Sequence, residues 1–488
     1  MSTTEVPGQE QRKTQITNTY LTGNWAPVME EHDLSLEAVR GRIPADLDGA
    51  FLRVGPNPVH VYNPEKYHVF DGDGMVHMVE FAGGRAGYRN RFIQTECLHL
   101  EQKAGKAIWQ GMDTLNNIAT AEVKHGRMNK NPGNTSMIWN GGKLLALYEG
   151  AQPHALRLPS LETIGEETFA GELGEFAYSA HPKVDPVSGD MIACSYSLVA
   201  APHCQVTVVN REGKMIHKTA VDLPKGVIIH DCAITKDYTL ILDLPLTFDL
   251  ERGLAGQSAI EFEPTNGSRI GIMKRMDSGD KVRWFDVKTA SIFHTANAWQ
   301  EGDEIVMEAC RLETTSMLQP DARTEADKAD QGALYQYRFN LATGDVKEAP
   351  IDPVFCDFTR INESYIGVKN RYIYSSKFTS RSLDFHFDGI IQFDREQNSK
   401  KIYSPGPGCH VGEAVFAPRT GSTAENDGYV VVFVRDETRQ KSECHILDAR
   451  DFDSGPVAVL EIPVRVPNGF HSHWVAGDMI RAAGCTLH

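Results

Sequence analysis

The sequence predicts an all-β protein, and three observations carry that expectation. Short runs of alternating or β-branched residues, closed by turn residues, recur along the whole chain. Helical periodicity is scarce. And 42 glycines and 24 prolines punctuate the 488 residues. A sandwich, a barrel and a propeller all fit such a pattern; at this length a propeller closes its sheet edges most economically. The repeats are too dissimilar for blades to be counted.

Residues 1–20, rich in Thr, Gln and Glu and without periodicity, are expected to be a flexible tail, with residues 21–488 forming a single domain because no low-complexity linker divides them. Asp71-Gly72-Asp73-Gly74 reads as a tight turn into a strand over 75–81. It lacks the third oxygen ligand and the closing glutamate of a calcium loop. Residues 115–125 are one of two helical candidates. A hairpin follows over 137–149, turning at Asn140-Gly141-Gly142, and another over 206–216 around Asn210-Arg211-Glu212-Gly213. Strands are expected over 239–246, 304–311 and 429–435, the last after Asp427-Gly428. The second helical candidate, 323–331, reads as an insertion between strands.

Composition narrows the function. With 49 Lys+Arg against 65 Asp+Glu the formal net charge is −16, which disfavours nucleic acid and anionic membrane surfaces as partners. The substrate is then neutral or held in an apolar site. Nine cysteines, odd in number and never in a C-x-x-C pair, argue against a disulfide framework or a zinc ribbon and point to a reducing, cytoplasmic setting. The first residues carry no apolar run, and no window approaches the ~18 apolar residues of a spanning helix. In that setting the Asn-x-Ser/Thr matches at Asn134, Asn266 and Asn362 carry no glycosylation meaning. No nucleophile elbow, phosphate-binding loop or dinucleotide fingerprint occurs, which removes the common hydrolase, nucleotidase and dehydrogenase readings.

Eighteen histidines remain. A lone histidine on a strand is usually a satisfied core or surface residue, and local spacing alone reveals no metal motif. Four nevertheless sit at the edges of β runs beside apolar or small residues, where a polar ring needs a partner: Ser179-Ala180-His181-Pro182, Ile229-His230-Asp231, Phe293-His294-Thr295 and Gly469-Phe470-His471. Ligands supplied by separate blades to a propeller axis would be spaced as widely as these.

These segments resemble the carotenoid cleavage oxygenase family, which includes apocarotenoid oxygenases, the retinoid isomerase and stilbene-cleaving oxygenases. The resemblance runs in order through Asn24-Trp25-Ala26-Pro27-Val28, residues 49–58, residues 67–77, Ala180-His181-Pro182-Lys183, His230-Asp231-Cys232-Ala233-Ile234-Thr235, His294-Thr295-Ala296-Asn297-Ala298-Trp299 and Gly469-Phe470-His471. It implies a seven-bladed β-propeller with Fe(II) on its axis, bound by His181, His230, His294 and His471, under a cap of loops and helices that forms an apolar tunnel. Four neutral imidazoles leave the ion its full charge and open positions for O₂, with no organic cofactor. By motif position Glu149 would orient His230, Asp357 His294, and Glu413 His471. Asp357 is one methylene shorter than the family's glutamate, so a water bridge or substitution by Glu363 would make up the difference. Thr135 matches a threonine whose methyl shields one open iron position. His68, His77 and His473 are expected to be decoys.

The expected activity is iron- and O₂-dependent cleavage of a conjugated C=C bond in a carotenoid or apocarotenoid, with an aromatic alkene as the alternative substrate. Stilbene cleavers grip a phenol with a lysine and a tyrosine; here Tyr148 and Thr114-Leu115-Asn116 occupy those places, so the phenol clamp is missing. Iron-dependent isomerisation and a non-catalytic scaffold rank lower. The cap leaves peripheral membrane contact open.

Overall fold

Antiparallel β-sheets arranged as seven blades build a β-propeller. The computed structural model describes residues 18–112, 114, 118, 122–313, 332–379 and 386–487. Blade one holds Gly49–Pro56, Gly74–Ala82, Arg85–Phe92 and the edge strand His32–Leu36. Blades two, three and four are four-stranded sheets over 136–166, 183–221 and 232–287. Blades five, six and seven follow from Ser291 to Ile462 and, together with Ala38–Gly41, hydrogen-bond into one continuous 13-stranded sheet. The linkage arises because Val346–Arg360 changes blades: its first half pairs with Ala333–Asn340 and its second with Tyr372–Phe378.

The ring closes twice. The C-terminal strand Ser472–Ala476 pairs with Gly49–Pro56 as the inner strand of blade one, while Ala38–Gly41, near the start, pairs with Pro456–Ile462 at the outer edge of blade seven. Closure removes free inner edges and ties the two ends of the chain together. The joint is packed by one apolar cluster in which Phe51, Phe81, Val431, Phe433 and Trp474 meet, with Phe51 and Phe433 ring centroids 4.8 Å apart.

Local chemistry accounts for the strands. Met215–Val221 alternates exposed and buried positions like a strand with one wet face, whereas Gly428–Asp436, between two others, is buried throughout. At the expected hairpin, Asn140 pairs with Lys143 across Gly141 and Gly142, both with positive φ (59° and 73°), the backbone a two-residue turn requires.

Several expectations are corrected. Within the tail expected over 1–20, Thr19–Leu21 forms a helical turn and Tyr20 is buried against Trp25, so packed chain begins earlier. Residues 323–331 lie outside the described residues. Of 115–125 only 118 and 122–125 are described, and the helix does not reach its expected end: Lys124 bridges Arg127 and His125 has φ 50°. A helix not anticipated, Glu96–Ala104, follows the outer strands of blade one; Thr95 caps its start by accepting from Leu98 N, and Gly105 (φ 66°) ends it. Asp71 and Asp73 are used up by protein donors: Asp71 accepts from Met112 N, and Asp73 from Val59 N and the buried Lys130 ammonium at 3.0 Å.

Candidate metal centre

Every blade brings one histidine or carboxylate toward the axis, from in or beside its inner strands. His471 immediately precedes the closing strand of blade one, whereas Pro182 and Asp231 separate His181 and His230 from the inner strands of blades three and four; His294 lies within the inner strand of blade five. Glu149 follows the second strand of blade two, Asp357 lies in the strand entering blade six, and Glu413 precedes the inner strand of blade seven. Four imidazoles thus come from blades one, three, four and five, and three carboxylates from the blades between.

The carboxylates set the tautomers. His230 Nδ1–H donates to Glu149 Oε2 at 2.7 Å, His294 Nδ1–H to Asp357 Oδ1 at 2.9 Å, and His471 Nδ1–H to Glu413 Oε1 at 3.1 Å. With each proton on Nδ1, the Nε2 of each neutral ring carries a bare lone pair. Those lone pairs face one another: Nε2 of His230 and His294 are 3.3 Å apart, and those of His294 and His471 3.1 Å. Between two unprotonated nitrogens no hydrogen bond forms, so the arrangement is repulsive until a cation stands among them. The spacing suits imidazoles sharing one ion at metal–nitrogen distances of about 2.1 Å. His181 completes the group, its buried Nε2 without a protein partner and its ring 4.4 Å from His230 and 4.5 Å from His471. One nitrogen from each of the four lies within 4.8 Å of the others. The donor set therefore fits a divalent transition metal.

Burial depresses the His181 and His471 rings well below the usual imidazole range, with the neighbouring histidines adding to it, so both stay neutral and ready to ligate. At His230 burial also opposes charge, but the adjoining Glu149 carboxylate outweighs it and the ring titrates above its ordinary value. Burial pushes Glu413 up to about 7 despite the opposing Arg360 guanidinium; a bound cation would pull it back down.

His230, His294 and His471 form one wall of a 590 Å³ cavity beneath the cap, lined also by Phe70, Ile118, Phe176, Leu198, Val199, Ile228, Phe248, Ile260, Phe293, Phe358 and Phe470. Thr135 and Tyr148, both singled out from the sequence, are in that lining. The Thr135 hydroxyl donates to Asn134 Oδ1 at 3.2 Å, and its carbonyl accepts from His471 N. Asn134 itself is fully buried, its amide donating to Phe70 and Gly72 carbonyls.

The three other histidines lie outside the group. His68 caps the turn Val69–Asp71, His77 bonds the Tyr88 hydroxyl at 2.8 Å, and His473 lies 3.8 Å from Glu363. Glu363 is drawn to Arg360 instead of His294, so the short Asp357 makes its contact directly. Sequence reasoning missed Tyr196, whose phenol lies beside Glu149, and Asp231, which immediately follows a ligand. Adjacency to His230 was the available signal for the second. The apolar lining carried none.

A propeller with an axial four-imidazole cluster beside an apolar cavity defines a class of proteins fitted to hold a metal ion next to an apolar molecule. The chain belongs to a family of that description, matching the retinal pigment epithelial membrane protein family, to which the carotenoid cleavage oxygenases belong, over residues 25–476. It is 36% identical over 501 residues to a carotenoid 9,10(9′,10′)-cleavage dioxygenase of Pisum sativum, covering 95% of this chain and 91% of that one. Among solved structures it is similar to a lignostilbene dioxygenase of Pseudomonas brassicacearum (28% identity, TM-score 0.85, covering 94% and 98% of the two chains). It is likewise similar to a cobalt-substituted Synechocystis apocarotenoid oxygenase (28% identity, TM-score 0.82, covering 92% and 97%).

Proposed function

We propose that this protein is an iron(II)- and O₂-dependent dioxygenase that cleaves a conjugated C=C bond, in a carotenoid or apocarotenoid, to two carbonyl products. The observation that carries the reading is the convergence of four imidazoles at the propeller axis, three of them, His230, His294 and His471, on one wall of a large apolar cavity. His181, His230, His294 and His471 would hold iron(II), which would supply O₂ activation without an organic cofactor. One O₂ adds across the alkene and each carbon leaves as a carbonyl, so no proton is consumed. The protein's tasks are accordingly to position the double bond and to keep the cavity dry. Phe293 and Phe358 flank the imidazoles and exclude water beside them, with Phe358 4.7 Å from the His471 ring and 5.3 Å from His294. Glu149, Asp357 and Glu413 fix the tautomers and offset the ion's charge. Thr135, with its hydroxyl turned to Asn134, lines the cavity beside the imidazoles, where its methyl would restrict access to a bound ion.

A volume of 590 Å³ with this lining suits an extended apolar molecule. Cleavage of an aromatic alkene is the second reading, favoured by the close structural likeness to a lignostilbene dioxygenase. Tyr148 in place of the phenol-gripping lysine weighs against it. Among the described residues no helix is long and apolar enough to cross a membrane. Val199, 69% exposed, and the exposed Met128 both belong to the cavity lining and give its mouth an apolar rim suited to peripheral contact with a lipid surface that holds the substrate. Nine unpaired thiols fit a reducing cytoplasm.

The test combines metal analysis of the purified chain with anaerobic and aerobic incubation against a carotenoid, an apocarotenal, resveratrol and a vinylphenol. One iron per chain and O₂-dependent aldehydes from the polyenes are expected. No bound metal after reconstitution, or product without O₂, would overturn it.

A further inference from the structure

Asp231 is 1% exposed and makes no contact with the substrate cavity, yet its two oxygens gather donors from three separate stretches of chain. Oδ1 accepts from Lys183 Nζ at 2.8 Å and from Cys232 N at 2.7 Å; Oδ2 accepts from Thr295 N at 2.8 Å and Thr295 Oγ1 at 2.9 Å. Lys183 lies two residues beyond His181, Asp231 follows His230, and Thr295 follows His294. A single ionised carboxylate therefore fastens together the backbones that carry three of the four imidazoles.

We propose that Asp231 is a positioning residue that sets the spacing among His181, His230 and His294, and thereby the affinity and geometry of the metal centre. The inference rests on reading the four histidines as a metal site. His181 makes the argument pointed. The other three rings each have a carboxylate on Nδ1, whereas His181 has none among the described residues; its segment is held by Lys183 on Asp231 and by its own carbonyl, which accepts from Cys232 Sγ at 3.7 Å. Both anchors belong to the residues just after His230. Glu413 does the equivalent for the fourth ligand, accepting from His471 Nδ1 and from Ser472 N. The brace acts away from the substrate: Lys183 and Thr295 line, with His181, a separate 70 Å³ cavity between the inner strands that shares no lining residue with the larger one.

Asparagine is a demanding replacement, because every group facing Asp231 can donate and the new Nδ2–H₂ must confront at least one of them. The experiment is Co(II) titration of the metal-free full-length chain, followed by d–d absorption and thermal melting, for the unmutated protein, Asp231→Asn and the double variant Asp231→Asn/Lys183→Met. Asp231→Asn is expected to bind Co(II) roughly tenfold or more weakly, with a changed ligand-field spectrum. The double variant, which removes the stranded ammonium, is expected to recover the melting temperature but not the affinity. It also supplies the answer if the single variant does not fold. An unmutated affinity and spectrum in either folded variant overturns the brace. An unmutated chain that binds no Co(II) overturns the metal reading and the brace with it.

Discussion

Asp357 Oδ1 accepts directly from His294 Nδ1 at 2.9 Å, although its side chain is one methylene shorter than the family's glutamate. The backbone makes up the difference. The pairing register slips between Asp357 and Arg360, and Phe358 adopts a left-handed φ of 53°, so the strand bulges at this point. The same Asp357 oxygen accepts from Phe358 N at 2.8 Å, locking carboxylate and bulge together. A left-handed phenylalanine costs of order 1–3 kcal/mol and persists here because its ring is packed against two of the imidazoles.

Asp357→Glu should therefore be harmful in this chain, restoring the usual residue notwithstanding. The added methylene would drive the carboxylate into a ring already at hydrogen-bond distance. We expect metal affinity to fall about tenfold, with a comparable loss from Asp357→Ala. Equilibrium metal titration and kcat on an apocarotenal check this; unmutated loading by Asp357→Glu would show that the bulge carries no such constraint.

His230→Ala removes a ligand at the mouth of the inner strand of blade four, not a packing residue. The chain should keep its β circular dichroism while its metal content and O₂-dependent turnover fall to background. Turnover at the unmutated level would remove His230 from the site.

Metal binding should release a proton wherever His230 is still charged. His230 titrates above about 6.5 in the metal-free protein, so the proton on its Nε2 must leave before the ion can bind. Affinity then rises about tenfold per pH unit up to that raised value and levels off above it. The linkage to folding has the opposite sign: the stability contributed by charged His230 beside Glu149 is fully present below about 6.5 and lost as pH rises through the folded-state value. Glu149→Gln should flatten both trends. Calorimetry in buffers of different ionisation enthalpy measures the proton count, and a pH-independent affinity would contradict the pairing.

The four histidines were legible because each sits in a local string whose polar ring has no local partner. The strands were legible through their turns, as at Gly141-Gly142. What stayed hidden depended on distance in three dimensions. Nothing in Cys356-Asp357-Phe358 announces a bulge, and Asp231, Lys183 and Thr295 each stand beside a ligand with no sign that they meet. The helix Glu96–Ala104 has weak apolar periodicity and shows itself only in Thr95 and Gly105 at its ends. Phe248 and Ile260 look like ordinary strand residues; only the folded cap turns them toward the cavity.

Trp474 lies in the strand that closes the propeller, three residues beyond His471, and its burial links stability to the site. Its ring is 8% exposed, packs on Phe81 at 6.2 Å and covers Gly49, where any side chain would strike it. Trp474→Ala removes that packing and should cost about 3–5 kcal/mol, the usual cost of truncating a buried aromatic side chain. Metal and stability should then be coupled. A loosened closing strand leaves His471 free to move, so the variant is expected to unfold at lower denaturant and to regain part of the loss when Co(II) is added, because ligation of His471 ties the strand back to blades three, four and five. Phe51→Ala, which empties the same cluster from the neighbouring strand, should lower stability by a similar amount with a smaller metal-dependent recovery. Equal recovery in the two variants would mean that closure of the ring and assembly of the metal centre are independent.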